Sequence, residues 1–350
     1  MASENTIILS KSDLLAYVSA IFVAAGVGRA MADEWAGILV WANLRGIDSH
    51  GVIRIPRYLE LLRRKTINSA PNIRVEKRAG AVSIMDADRA PGVIAMARAM
   101  EEAIARAREV GVGWCAARNV THTGAVGYFA LMAAEAGMAG IATGASSPMM
   151  AYHGARVAGV SSNPLAISVP GKQRRPLLLD MSTGTVAMGK ILAARDAGQQ
   201  VPLGWGIDAE GRDTTDPTKI KTLLPLGGPK GSGLSLLIEC LTSVALGNPL
   251  VARALIDKNL ADNPVQNGLA IAVDLSVFGD LDTFGSEVDR LGDAITTLPR
   301  ADGVDRILMP GERSSAVMAE REAKGIPISR GTWKRVVAAT EGLGVTPPVS

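Results

Sequence analysis

The 350-residue sequence is poor in histidine, cysteine and aromatic residues, and neither sign of charge dominates it. Three histidines and two cysteines cannot build a zinc-finger or disulfide framework, and no two histidines lie within ten residues of each other, so no metal site is expected. Aromatic residues make up 4% of the chain, so its interior must be aliphatic. The 37 basic and 34 acidic residues give a net charge of +3, too small and too evenly spread for the basic face that nucleic acid requires. The densest basic run, Lys172, Arg174 and Arg175, lies between Gly171 and Pro176 and reads as a solvated hairpin turn. Long apolar runs are also missing. The stretch from Leu14 to Gly28 is interrupted by Tyr17 and Ser19 and is too short to span a bilayer, so no membrane partner is expected. The first residues, Met1 to Asn5, lack a basic leader, and Cys115 and Cys240 each sit in an apolar stretch, as buried reduced thiols would. Together these features suggest a cytoplasmic protein.

Hydrophobic residues at 47% and charged residues at 20% are ordinary for a globular chain. The length suits two folded units, or one large α/β unit with an insertion. Ser10 or Ser12 can cap a helix carrying Leu14, Leu15, Val18, Ile21 and Phe22, and a second helix runs from about Arg29 to Leu44. A polar segment, Arg45 to Gly51, separates it from a third helix at Arg54 to Arg64. Short β-like runs follow at Ile73–Glu76 and Ala81–Asp86, then a long amphipathic helix at Gly92–Val110 and a strand at Trp114–Val120, closing a βαβ unit. Further expected elements are a helix at Tyr128–Ala136, strands at Gly140–Thr143, Ala166–Val169 and Leu177–Asp180, and a helix at Val186–Ala194. Residues 195–229 read as a long loop. Gly233–Ala245, apolar nearly all round, predicts a buried helix, followed by a strand at Leu269–Val273 and a helix at Phe284–Leu291.

Gly111-Val112-Gly113-Trp114-Cys115-Ala116 has the letters of a dinucleotide fingerprint, but in the wrong context. That fingerprint needs a strand before the glycines and a helix after them; here a helix precedes and a strand follows, which makes Gly111 a helix C-cap. Gly228-Pro229-Lys230-Gly231-Ser232-Gly233 is not a P-loop either. Its glycines and lysine at a helix start can still present N–H groups and a cation to an anionic or pyrophosphate group, or form a plain tight turn. Ser49-His50 with Arg54 four residues on places an imidazole, a hydroxyl and a guanidinium together, suited to acid–base work and a carboxylate clamp. Asp48 is one possible partner for His50. His122 follows a strand and precedes a helix, a common position for catalytic groups in α/β proteins.

A set of ordered motifs extends over nearly the whole chain: Arg45-Gly46-Ile47-Asp48-Ser49-His50-Gly51, Thr121-His122-Thr123-Gly124, Ser162-Asn163-Pro164-Leu165-Ala166, Asp180-Met181-Ser182-Thr183 with Gly189-Lys190, Gly204-Trp205, Asp208, Thr214-Thr215-Asp216-Pro217 and Gly228-Pro229-Lys230-Gly231. In this order they resemble the malate/L-lactate dehydrogenase family that is unrelated to the Rossmann-type enzymes of similar name. The resemblance implies an α/β protein with a non-Rossmann NAD(P)-binding domain on a mixed or antiparallel sheet, a second α/β domain and an N-terminal helical section. The corresponding ranges are residues 1–70 for the helical section, 71–120 with 240–310 for a discontinuous α/β domain, 121–239 for an inserted NAD(P) domain and 311–350 for a tail.

The resemblance also implies a homodimer whose two subunits share each active site, and NAD or NADP as cofactor with a small carboxylate substrate. Asp180, Met181 and Ser182 would line the cofactor, Lys230 and Gly231 its phosphates or ribose, and Gly311, Glu312 and Arg313 a further part. Ser146 would sit near the nicotinamide or the substrate. Hydride transfer at C2 of a 2-hydroxy acid needs a base for the hydroxyl proton, which a neutral imidazole supplies near pH 7. His122 is expected in that role, His50 and Ser49 as its substrate-facing partners, and Arg54 as the carboxylate clamp. The segment Tyr152-His153-Gly154-Ala155 departs from the family pattern, so His153 is expected as an added substrate contact. Alternatives are reduction of a cyclic imine carboxylate and a non-catalytic nucleotide-binding dimer.

Overall fold

The computed structural model describes residues 6–348 except 197, 258 and 260–263; the leaderless start, residues 1–5, lies outside the described residues. Strand β1 (Thr6–Leu9) leads into α1 (Lys11–Ala24), α2 (Arg29–Leu44) and, after single 3-10 turns at Asp48–His50 and Val52–Arg54, α3 (Ile55–Arg63). Ser10 caps α1 as expected, its Oγ accepting the Asp13 N–H at 3.0 Å. Next come β2 (Arg74–Ala79), β3 (Val82–Asp86), α4 (Gly92–Val110), β4 (Val112–Val120), α5 (Gly127–Glu135) and β5 (Met138–Ala145). Then follow β6 (Met150–Ala151), β7 (Ala158–Val160), β8 (Pro164–Val169), β9 (Leu177–Ser182), α6 (Met188–Asp196), β10 (Gly206–Ile207) and β11 (Thr222–Leu223). The last part holds α7 (Pro229–Glu239) with a π turn at Cys240–Val244, α8 (Val251–Ile256), β12 (Gln266–Asp274), α9 (Leu281–Thr296), α10 (Glu312–Lys324), β13 (Ile326–Ser329) and α11 (Arg330–Thr340).

One seven-stranded sheet, ordered β2-β3-β4-β12-β5-β8-β9, organises the chain. Within it β3 and β4 run parallel, as a βαβ unit requires, and every other neighbouring pair is antiparallel. The sheet is therefore mixed and not of the Rossmann type. Residues 120 and 121, the expected domain break, fall between strands of this single sheet. A smaller four-stranded sheet, β10-β11-β6-β7, has its own apolar cluster around Met150, Val160, Ile191, Val201 and Leu223, so the segment expected to be loop carries two short strands. β13 pairs antiparallel with β1, and α11 packs on α3, folding the C-terminal residues back over the N-terminal helices.

The two fingerprint-like glycines have structural roles. Gly111 ends α4 with φ of 84°, the left-handed C-cap that a glycine adopts without strain. Gly113 lets α4 lie directly on β4: a Cβ there would come 1.8 Å from the Ala103 carbonyl oxygen.

The helix expected to be buried near residue 240 is not. Along α7 and the following π turn, Leu237 is 61% exposed and Leu241 48%, with Leu234, Leu236 and Val244 also open, and Cys240 is exposed rather than buried. The opposite face packs on the sheet through Gly231, Ser232, Ser235, Ile238 and Glu239. An all-round apolar pattern marks two covered faces, and this single chain covers one of them. Cys115 is buried as expected, and burial pushes its thiol up to about 12.

Gly113→Ala is expected to destabilise the protein by more than about 2 kcal/mol, because backbone atoms on α4 cannot move aside as a flexible side chain would. Urea denaturation monitored by circular dichroism measures this. A change within experimental error would show that α4 and β4 can separate.

Candidate active site

The two conserved-type loops of the motif reading meet in one cleft. Ser49 and His50 lie in the 3-10 turn after α2, and His122 lies between β4 and α5. Their imidazoles stack at 5.6 Å between ring centroids with an interplanar angle of 10°. Each is held through Nδ1 by a hydroxyl: His50 by Ser49 Oγ at 2.9 Å and His122 by Tyr58 Oη at 2.8 Å. Each ring therefore keeps Nε2 for a ligand. Arg54 joins them, its Nε donating to the Ser49 carbonyl at 2.6 Å.

Tyr58 was not singled out in the sequence. Its ring is 2% exposed and packs on Trp35, which stacks on Phe22 with 3.9 Å between centroids, so a run of aromatic rings connects the core to His122. An apolar position one turn into α3 reads as core, and only the fold shows its hydroxyl reaching a histidine 64 residues away.

The loop carrying His50 is fixed from behind. Asn43, buried on α2, accepts the Val52 N–H at 2.9 Å and donates to Asp48 at 2.7 Å. Gly51 passes so close that a Cβ would come 2.1 Å from the Asn43 side chain. Asp48 does not serve His50; it forms a two-pronged ion pair with Arg321 of α10, at 2.7 and 3.1 Å. On the other side Gly189 of α6 permits contact with Ser49, since a Cβ there would lie 2.6 Å from Ser49 Cβ.

Electrostatics hold both imidazoles neutral. Burial and then the Arg54 charge bring His50 down to about 3, and burial, Arg54 and His50 bring His122 well below the ordinary value of 6.5. Burial also raises the Tyr58 hydroxyl, which stays protonated as a donor or acceptor for His122.

The remaining candidates are arranged along β9. Gly311 lies against Leu178, with its missing Cβ position 3.0 Å from Leu178 Cβ, and Leu178 N donates to Pro310 O at 3.1 Å. Asp180 is open to solvent and accepts the Gly127 N–H, first in α5, at 3.1 Å. Surrounding protein raises its carboxyl to about 6, while the Gly127 N–H and Arg45 pull it down. Met181 continues the strand opposite Leu165. Ser182 Oγ accepts the Gly184 N–H, and Thr183 O seats Gly231, where a Cβ would come within 2.4 Å. The Thr183 hydroxyl is buried without a partner. Lys230 is exposed at the start of α7, after Gly228 at φ of 61°. Ser146 follows β5, its Oγ sharing a hydrogen bond with Ser161 Oγ at 2.6 Å. Glu312 is turned to Arg306 at 2.8 Å and to the Met309 N–H, and Arg313 is exposed. His153 is also exposed. Its ring lies against Gly228, 3.2 Å from where a Cβ would be, and so at the glycine–lysine turn rather than beside His50 and His122. Among the described residues no cluster of three His, Cys, Asp or Glu could hold a metal, and no helix is long and apolar enough to cross a membrane.

A family model for malate/L-lactate dehydrogenase matches residues 9–337. The chain belongs to this family of dehydrogenases. It is 33% identical over 352 residues to malate dehydrogenase of Pyrococcus horikoshii, covering 98% of this chain and 97% of that protein. A solved structure of the P. horikoshii malate dehydrogenase superposes with a TM-score of 0.89 at 31% identity, over 99% of both chains. Identity to the ureidoglycolate dehydrogenase (NAD(+)) of Escherichia coli is 34% over 307 residues, 87% of each. The structure of Δ1-piperideine-2-carboxylate reductase from Pseudomonas syringae matches with a TM-score of 0.84 at 28% identity, over 95% of this chain and 99% of that one.

As pH falls, the unfolded chain takes up protons near 6.5 that the native imidazoles refuse, so folding loses stability from about pH 6.5 down toward pH 3. His122→Asn removes one such group. Its melting temperature is expected to fall less steeply between pH 7 and pH 5 than that of the parent, and parallel pH profiles would mean that His122 titrates normally.

Proposed function

We propose that this chain is an NAD(P)-dependent oxidoreductase that moves hydride between the nicotinamide and C2 of a small 2-hydroxy or 2-oxo acid. The observation that carries the reading is the pair of stacked, hydroxyl-anchored imidazoles beside Arg54. The nicotinamide, when bound, supplies or accepts the hydride.

His122 takes the hydroxyl proton on Nε2, because Tyr58 already occupies Nδ1. Arg54 binds the substrate carboxylate. Its charge holds both histidines down, so a carboxylate placed there relieves that repulsion and makes the imidazoles more basic once the acid is bound. His50 and Ser49 orient the substrate oxygen or relay its proton. Ser146 borders this site from the end of β5.

Along β9, the positions of Leu178 and Thr183 are roughly 17 Å apart at about 3.3 Å per residue, a scale that suits an extended dinucleotide. Gly311, Glu312 and Arg313 would serve one end, Asp180, Met181 and Ser182 the middle, and Lys230 and Gly231 the phosphates. The close seating of Gly231, the orphan Thr183 hydroxyl and the N–H groups at the start of α7 fit such a ligand. His153, at the same turn, would meet the cofactor side rather than the substrate.

The leucine ridge of α7 supports the homodimer implied by the family resemblance, since so many adjoining exposed aliphatic side chains are rare on a lone subunit. The helix that carries Lys230 would then also form the interface. The P. syringae reductase favours one second reading, in which the acceptor is a cyclic imine carboxylate.

Absorbance at 340 nm, with NADH and NADPH against a panel of 2-oxo acids and cyclic imines, identifies the substrate. His122→Asn is expected to lower kcat by at least about 100-fold, and Tyr58→Phe to lower it less while shifting the pH profile. Wild-type turnover in His122→Asn with none in His50→Asn would reverse the two roles, and cofactor binding without turnover across the panel would favour a non-catalytic dimer. Separately, Leu237→Asp with Leu241→Asp should convert a dimer to monomer in sedimentation velocity. An unchanged sedimentation coefficient would move the interface elsewhere.

A further inference from the structure

Arg45 stands out among the buried groups. It is 7% exposed, forms no ion pair, and its Nε has no hydrogen-bond partner. Nη2 donates to Ser314 Oγ at 2.8 Å, Ser315 Oγ at 3.3 Å and Gly311 O at 3.4 Å, all at the N-terminal end of the 13-residue α10. That is the wrong end of a helix for a cation, because the free N–H groups there are already positive. The Trp41 ring, 5.3 Å from the guanidinium carbon, offers some compensation. Asp180 and Glu135 lie within electrostatic range, but so does a second cation, Arg175.

In front of the serines is a cavity of about 180 Å³ bordered by Arg174, Arg175, Leu177, Gly311, Glu312 and Ser315. Arg174 is committed to Asp293, whereas Arg175 is exposed and has no carboxylate within ion-pair distance. The one acidic side chain, Glu312, is occupied by Arg306 and the Met309 N–H. A buried guanidinium without a counter-ion, a second arginine, two hydroxyls and a helix N-terminus thus surround a space too small for a whole small-molecule ligand. What is missing from it is a compact anion.

We infer that this cavity receives a phosphate monoester, the 2′-phosphate of an NADP-type dinucleotide, with Arg175 and Ser315 as direct contacts and Arg45 as the charge behind them. The inference rests on the proposed cofactor site, in which Gly311 and β9 hold one end of the dinucleotide. It gives a cofactor preference that the sequence left open. Arg45, through the same two serines, positions the hydroxyls that face the phosphate.

The test is isothermal titration calorimetry with 2′-AMP, 5′-AMP, inorganic phosphate, NADH and NADPH, on the full chain and on Arg175→Ala and Ser315→Ala. The expected result is 2′-AMP binding at least about tenfold tighter than 5′-AMP, with each substitution weakening NADPH about tenfold and leaving NADH nearly unchanged. Equal binding of 2′-AMP and 5′-AMP, or equal losses for both dinucleotides, overturns the inference while the cofactor reading stands. Inorganic phosphate binding as tightly as 2′-AMP makes this a free-phosphate site and also overturns it. If neither dinucleotide binds the unaltered chain, the cofactor reading itself fails.

Discussion

The ion pair between Asp48 and Arg321 is the contact on which the site's geometry depends. His50 lies on a short 3-10 turn, and a single turn of that kind cannot hold an imidazole in register by itself. Asn43 and Arg321 fix Asp48 from two sides, Gly51 fits against Asn43, and Ser49 is thereby set where it can engage both His50 and Arg54. His122 is anchored independently through Tyr58 and the aromatic rings beneath it. Two supports of different origin, one ionic and one packed, bring the rings into parallel contact.

Much of the architecture was readable because local rules and tertiary needs agree. The helix at Gly92–Val110 begins and ends as its periodicity and C-cap glycine indicate, and the strands at Val112–Val120 and Gln266–Asp274 pair at the centre of the sheet. The backwards context of the Gly111–Ala116 segment excluded a Rossmann fingerprint, and the close packing of Gly113 explains why glycine is there at all. The small sheet and the C-terminal helices were harder to read. Two-residue strands have no usable period, and β13 exists because β1, more than 300 residues earlier, offers it an edge.

For the site, the histidine loops and the glycine–lysine turn could be found from residue type and neighbours. Tyr58 and Arg45 could not. Each is a single residue whose importance comes from one distant contact, and nothing in its local spacing separates it from ordinary core or surface. Asp48 looked like the natural partner for His50, and the structure gives it to Arg321 instead. His153 looked like a substrate residue because it breaks a pattern beside the presumed pocket, yet it lies against Gly228. The α7 helix failed for a related reason: a sequence records that a face is apolar, not which molecule covers it.

Asp48 and Arg321 are 273 positions apart, and this has a consequence for assembly. A nascent chain emerging from the ribosome can build the N-terminal helices and begin the large sheet long before α10 exists. It cannot lock the His50 loop until Arg321 arrives, so contacts of such high sequence separation close late and carry the largest loop-closure cost. Competence for chemistry is thus one of the last properties the polypeptide acquires, and a truncated product would fold much of its scaffold yet remain inert.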